Sequence, residues 1–198
     1  MENIKKELYD VYVKYKDFNF MDHYYEISEH NTNNKYSKGL GFNAGLYEPS
    51  YVDEIRCSNA TIGKEVKKTD KGYDYKYYFD ENDKIILSEK YLSGKLCYIN
   101  FYFYVDGAVD FISYEVNKGI YSLSKSYYDD DDRITRHIQI GIYNKYDPSE
   151  NTVYNAYLFK YENDITYITA TTHYNPSQFL ISYGFIKRTE IIRMKIII

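Results

Sequence analysis

The stretch YDYKYYFDENDKIILSEKYLSGKLCYINFYFYVDGAVDF, residues 73–111, decides the fold. Tyr73, Tyr75, Tyr77 and Phe79 recur at every second position, the period at which a strand shows the same face. Asp80-Glu81-Asn82-Asp83 then turns the chain into Ile85, Leu87 and Tyr91, and Ser93-Gly94 turns it again. In the next segment Cys97, Ile99, Phe101, Phe103 and Val105 share one face, with Tyr98, Tyr102 and Tyr104 on the other. Asp106-Gly107 is a short hairpin signal, because both residues tolerate the positive φ of a type I′ turn, and Val109 and Phe111 return on the opposing strand. Alternation interrupted by tight turns describes antiparallel hairpins.

The same grammar continues towards the C-terminus. Turns are expected at Asn117-Lys118-Gly119, Asp129 to Asp132, Asp147-Pro148-Ser149, Glu162-Asn163-Asp164 and Asn175-Pro176-Ser177. Strands lie between them, including one with Ile134, Arg136, Ile138, Ile140 and Ile142 and one with Tyr154, Ala156 and Leu158. The ending IIRMKIII, with two charges in eight residues, is too short for a membrane span and reads as a buried last strand. About ten strands over residues 73–198, each beside its sequence neighbour, predict a curved antiparallel meander sheet or open barrel, since long sheets twist and must hide their edges.

Before the strands, Ile4, Leu8, Val11, Tyr15 and Phe18 are spaced by four, three, four and three, which predicts one amphipathic N-terminal helix over residues 1–18. Residues 19–72 read as an irregular segment with short strands, one near Leu40 to Tyr47 and a hairpin from Val52–Cys57 and Thr61–Lys67. The whole chain, residues 1–198, is expected to be a single domain, with the helix lying on the sheet.

Composition narrows the function. The 198 residues contain 28 Tyr, 10 Phe and no Trp, with a net charge of −4. Tyrosine suits strands because its ring covers a pleated surface while its hydroxyl stays wet. An acidic balance offers no footprint for a nucleic acid. Residues 1–18 carry acids and lysines where a signal peptide needs an apolar core, and no stretch is apolar enough for a membrane helix, so a cytoplasmic location is expected. Cys57 and Cys97 stand 40 positions apart outside any CxxC pattern and read as reduced thiols.

Catalytic chemistry finds little support in the motifs. His23 and His30 are seven apart, without the HExxH spacing that brings two imidazoles to one zinc; His137 reads as a surface residue and His173 as a strand-end residue. The run Asp129, Asp130, Asp131, Asp132 lacks the Gly and Glu positions of an EF-hand and reads as a solvated turn that could also contact a basic partner. GLGFNAG at 39–45 is neither a P-loop nor a dinucleotide fingerprint. No cofactor or metal is implied. The remaining signal is aromatic: Tyr98, Tyr102 and Tyr104 on one strand face, near Tyr114 or Tyr121 of the following strands, would make an amphipathic binding patch.

Four segments repeat loosely: YYFDENDKI (77–85), FYVDGAVDF (103–111), YYDDDDRIT (127–135) and LFKYENDIT (158–166). In each, aromatic residues precede an acidic turn and an apolar residue follows it. These strings resemble the YD-like and MORN-like hairpin repeats of bacterial toxin–immunity systems. The resemblance implies a non-enzymatic antitoxin or immunity protein that occludes a partner toxin. Aromatic hairpin repeats that bind cell-wall glycans are the competing resemblance, although those generally use Trp. A structural scaffold is the third alternative.

Overall fold

The computed structural model describes residues 2–39, 64–67, 72–141, 153–162, 165–174, 179–187 and 190–197. Two helices, α1 (Glu2–Tyr15) and α2 (Phe20–His30), precede the strands β1 (Asn34–Lys38) and β2 (Lys64–Val66). The strands β3 (Tyr75–Phe79), β4 (Ile85–Leu92), β5 (Lys95–Val105), β6 (Ala108–Glu115), β7 (Gly119–Tyr128), β8 (Ile134–Gly141), β9 (Val153–Glu162), β10 (Ile165–Tyr174), β11 (Phe179–Lys187) and β12 (Glu190–Ile197) follow. Hydrogen-bonded order runs β12 to β3 without a crossover, and β1 and then β2 extend it beyond β3. The expected meander of ten strands is therefore present, and the sheet is not closed, because its order ends on β12 and β2.

The chain divides into two compact units, one of Met1–Lys14, Val105–Asp110 and Ser122–Ile198, the other of Tyr15–Tyr104 and Phe111–Tyr121. In the first unit, Leu8 and Val11 of α1 are 1% and 3% exposed, as their spacing requires. Two ionic clusters add direction to that apolar stripe. Arg136 grips Glu7 with both terminal nitrogens, at 2.9 and 3.0 Å, and the Tyr127 hydroxyl donates to the same carboxylate at 2.5 Å. Asp110, almost fully buried, receives Lys14 at 3.0 Å on one oxygen and Lys125 at 3.2 Å on the other. A buried carboxylate with a cation on each oxygen offsets its desolvation, which a lone one could not.

In the second unit, α2 is a helix that the reading of residues 19–72 as irregular missed. Asn19 caps it, its Oδ1 accepting from the Asp22 amide at 3.3 Å, and Phe20, Tyr24 and Ile27 recur at helical spacing. The first helix correspondingly stops at Tyr15 rather than Phe18. Phe18 lies between the helices and packs edge-on against Tyr15 at 6.3 Å, Phe20 at 5.0 Å and Phe103 at 5.4 Å. Phe20 reaches Phe101 at 5.0 Å and Tyr114 at 5.5 Å, and Tyr15 stacks on Phe103 at 4.4 Å. With Leu87, Ile99 and Phe101 at 0% exposure beneath, each buried side chain contributes about 1.5–3 kcal/mol and each aromatic pair about 0.5–1.5 more.

The turns show how the repeat works. Asp80 Oδ1 accepts from the amides of Asn82 and Lys84, both at 2.8 Å, while its own amide donates to the Lys84 carbonyl at 2.8 Å. Asp129 does the same with Asp131 at 3.1 Å, Arg133 at 2.9 Å and the Arg133 carbonyl at 2.9 Å. Each turn ends on an aspartate at φ 57°, Asp83 or Asp132, and each is flanked by a register shift whose extra residue, Ile86 or Thr135, lies in the strand that follows. The equivalent strings are therefore YFDENDKI (78–85) and YYDDDDRI (127–134), one residue away from the alignment of YYFDENDKI with YYDDDDRIT, because the acid that ties the loop is its first residue. The type I′ signature is also displaced: Ser93 and Gly94 have φ of 51° and 76°, whereas at Asp106-Gly107 only Gly107, at 63°, is positive.

Strands expected near 40–47 and 52–57 fall outside the described residues, as do Cys57 and the turns at 147–149 and 175–177. Lys64–Val66 is a strand, but it pairs with β1. No described helix is long and apolar enough to cross a membrane.

Candidate binding surfaces

Across β3, β4 and β5 the register places Tyr75 opposite Lys90 and Lys90 opposite Tyr98. The Lys90 ammonium stands 5.7 Å from each ring centroid, held between two tyrosines as cation–π geometry favours. Tyr98 then meets Tyr121 at 5.2 Å. The Tyr75–Lys90–Tyr98 row lies on the face opposite α2, because Glu89 and Ile99, one residue away, point towards the helix side. Tyr121 is 41% exposed, so the aromatic series ends in solvent.

The other expected patch residues separate. Tyr102 is half-buried and engaged, its ring 5.1 Å from Phe111 and its hydroxyl 3.1 Å from Ser88 Oγ, which also accepts from Asn100 at 3.0 Å. Small Ser88 in the middle strand lets the neighbouring tyrosines close over it. Tyr104 is 37% exposed, but its hydroxyl is committed to the Ile85 carbonyl at 3.0 Å and Lys84 sits over its ring. Tyr114 lies beneath α2 against Phe20, away from Tyr98 and Tyr102. Strand alternation decides this, since Phe111 meets Tyr102 on one face and Tyr114 is an odd number of positions further on.

Asp130, Asp131 and Asp132 are exposed, while Asp129 serves the turn. Hydrogen bonds from the Arg133 amide and guanidinium hold the Asp129 carboxyl below its ordinary value. Arg133 bridges Asp129 and Asp131, each at 2.9 Å, so part of the acidic run is already matched. Among the described residues no group of three or more His, Cys, Asp or Glu side chains could hold a metal ion.

His137 corrects the surface assignment: it is 0% exposed. The register sets it between Ser126 and Tyr157, and its Nδ1 lies 2.8 Å from Ser126 Oγ with the Tyr157 ring at 5.8 Å. The face of β8 that carries it is covered, so a polar residue there is enclosed rather than solvated. His173 lies in β10.

A buried carboxylate that sequence reasoning did not single out anchors α2. Glu89, 3% exposed, accepts Tyr24 at 2.9 Å and Tyr78 at 2.7 Å on Oε1 and Tyr91 at 2.6 Å on Oε2. Burial first, and the carboxylate beside them second, push all three phenols far above their ordinary range. Burial and Glu7 do the same to Tyr127. A lone Glu in an apolar strand among tyrosines was the available signal, since a buried carboxylate needs donors.

Also in the second unit, a groove of about 440 Å³ runs along α2, with His23, Glu26, Ile27, His30 and Asn31 on one side and Ile86 and Tyr102 on the other. Ile86 is the residue passed over where the β3–β4 register shifts. The two histidines, seven apart on a helix, line one groove. His23 stacks over Phe101 and Phe103, with both centroids at 6.1 Å.

Comparison with protein-family models, with curated proteins and with solved structures gave no match.

Proposed function

We propose that the chain is a non-catalytic protein-binding module of the immunity type, which neutralises a partner toxin by covering its active surface. The observation that carries this reading is the Tyr75–Lys90–Tyr98 row continued by Tyr121. Rings held on paired strands lose little entropy when a partner covers them, and tyrosine supplies apolar area with a polar tip. The hairpin-repeat resemblance supports the same class.

The test is co-expression with the product of the adjacent gene, followed by purification and titration of the complex. A Tyr98→Ser/Tyr121→Ser variant should bind at least about tenfold more weakly while keeping the circular dichroism of the parent. No complex with that product, or a complex indifferent to both substitutions, defeats the proposal. Retention on a polysaccharide matrix, lost in the same variant, would transfer the surface to glycan recognition.

A further inference from the structure

We propose that the β4–β5 end of the tyrosine row docks into an apolar socket rimmed by carboxylates on the partner protein, with Leu92 as the inserted side chain and Lys90 and Lys95 as the charges that meet the rim. The proposal rests on the protein-binding reading above and names the chemistry of the partner's surface.

Lys95 and Tyr98 are three residues apart, so strand alternation by itself would turn them to opposite faces. The register shift between Lys90 and Tyr91 prevents this: Lys90 lies opposite Tyr98, Leu92 lies opposite Lys95, and Cys97 is the extra residue in β5. Lys90 and Leu92 are two apart in β4, so Leu92, Lys90, Lys95 and Tyr98 share the face that carries Tyr75. Ser93 and Gly94, both at positive φ, close the hairpin in two residues and hold Leu92 and Lys95 as its last pair. Leu92 is 50% exposed there, an aliphatic side chain set beside aromatic rings and ammonium groups. Its burial by a partner returns apolar area at little cost in ordering, because the turn already fixes its backbone.

The charge at this end of the face is positive, against the −4 of the whole chain. The Lys90 ammonium is positioned by the two rings, and Lys95 is exposed. Glu115 is the carboxylate that acts on Tyr98, and Lys118 pairs with it. Glu65, the other acid in this register, lies beyond Ser37, two strands from Tyr75. Burial first and Glu115 second raise the Tyr98 phenol, which keeps its proton and remains able to donate. A basic surface would set like charges against Lys90 and Lys95, whereas carboxylates attract both and accept from the Tyr98 hydroxyl. Nucleic acid also offers anions, but Lys90 lies against both of the rings on which a base would stack.

The experiment follows, by stopped-flow mixing and titration, the complex with the purified product of the adjacent gene at about 50 and about 500 mM NaCl. Lys95→Glu should slow association about three- to tenfold at the lower salt and much less at the higher. The direction matters, because the net charge of the chain makes the salt dependence of the parent ambiguous, while a basic partner surface would be met faster by this variant. Leu92→Ser should weaken the complex about tenfold, through faster dissociation, with the circular dichroism of the parent. A complex that is weakened in Tyr98→Ser/Tyr121→Ser yet indifferent to Leu92→Ser, or one that Lys95→Glu accelerates or leaves unchanged, overturns this inference and spares the protein-binding reading. No complex at all overturns both. Binding of a fluorescein-labelled oligothymidylate that is abolished by Lys95→Glu would assign the face to phosphate and overturn the inference as well.

Discussion

Replacing Glu89 with alanine should cost the chain a large part of its stability. Three phenol hydroxyls lose their acceptor at once, at 2.9, 2.7 and 2.6 Å. Tyr78 is 0% exposed and cannot turn to water, so its orphaned hydroxyl carries a penalty of about 1–3 kcal/mol. Tyr24 and Tyr91 are only partly buried and recover hydration, which limits each to about 1 kcal/mol. The sum, about 3–5 kcal/mol, is a large share of the roughly 5–15 kcal/mol that holds a typical domain. Relief of a buried carboxylate acts in the opposite direction, but alanine leaves the hydroxyls behind, and unpaired partners dominate in such cases. Urea unfolding followed by circular dichroism measures the loss, and a cycle with Tyr78→Phe isolates one contact. Coupling between positions 89 and 78 should be about 1–2 kcal/mol and larger than that between 89 and 24. A total loss below about 1 kcal/mol, or zero coupling with Tyr78, would refute the reasoning.

Alkaline pH probes the same cluster. The phenols of Tyr24, Tyr78, Tyr91 and Tyr127 are raised in the fold, so the stability they contribute is complete below the unfolded value of about 10 and drains away as pH rises through the folded values. Phenolate absorbance should show these residues ionising only together with loss of the dichroism signal, and full ionisation of all tyrosines in an intact fold would contradict this. At Gly94, φ 76° with open space around the missing Cβ, alanine should cost about 1 kcal/mol in thermal or urea unfolding, whereas Asp83→Gly at φ 57° should lose little. Glu7→Gln should cost about 1 kcal/mol at low salt and less at high salt, since the Arg136 pair is about 28% exposed, and an unchanged salt dependence would remove its ionic character.

Strand periodicity made β3 to β9 readable because side chains on a pleated chain alternate whatever surrounds them, and the acid-rich turns marked the boundaries. Asn19 with Asp22, followed by Phe20, Tyr24 and Ile27, contains the signal for α2 as well. It was obscured because the same stretch is rich in aromatic residues that also suit strands, and the Asn/Gly-rich run behind it drew the whole segment into an irregular reading. The candidate patch was half legible: alternation put Tyr98 and Tyr102 on one face, but whether a tyrosine on that face stays at the surface depends on the size of its cross-strand neighbours, which is a register fact.

By itself, then, the sequence determined the hairpins, their turns and the amphipathic stripe of α1, all of which depend on residues within a few positions of one another. Only the tertiary structure decided that Glu89 collects three hydroxyls from α2, β3 and β4, that His137 is enclosed between Ser126 and Tyr157, and that Tyr98 and Tyr114 part company. Each of those depends on which strands or helix lie alongside and in what register. A one-residue slip in pairing register moves a strand's whole set of side chains to the other face while leaving the local pattern of the sequence untouched.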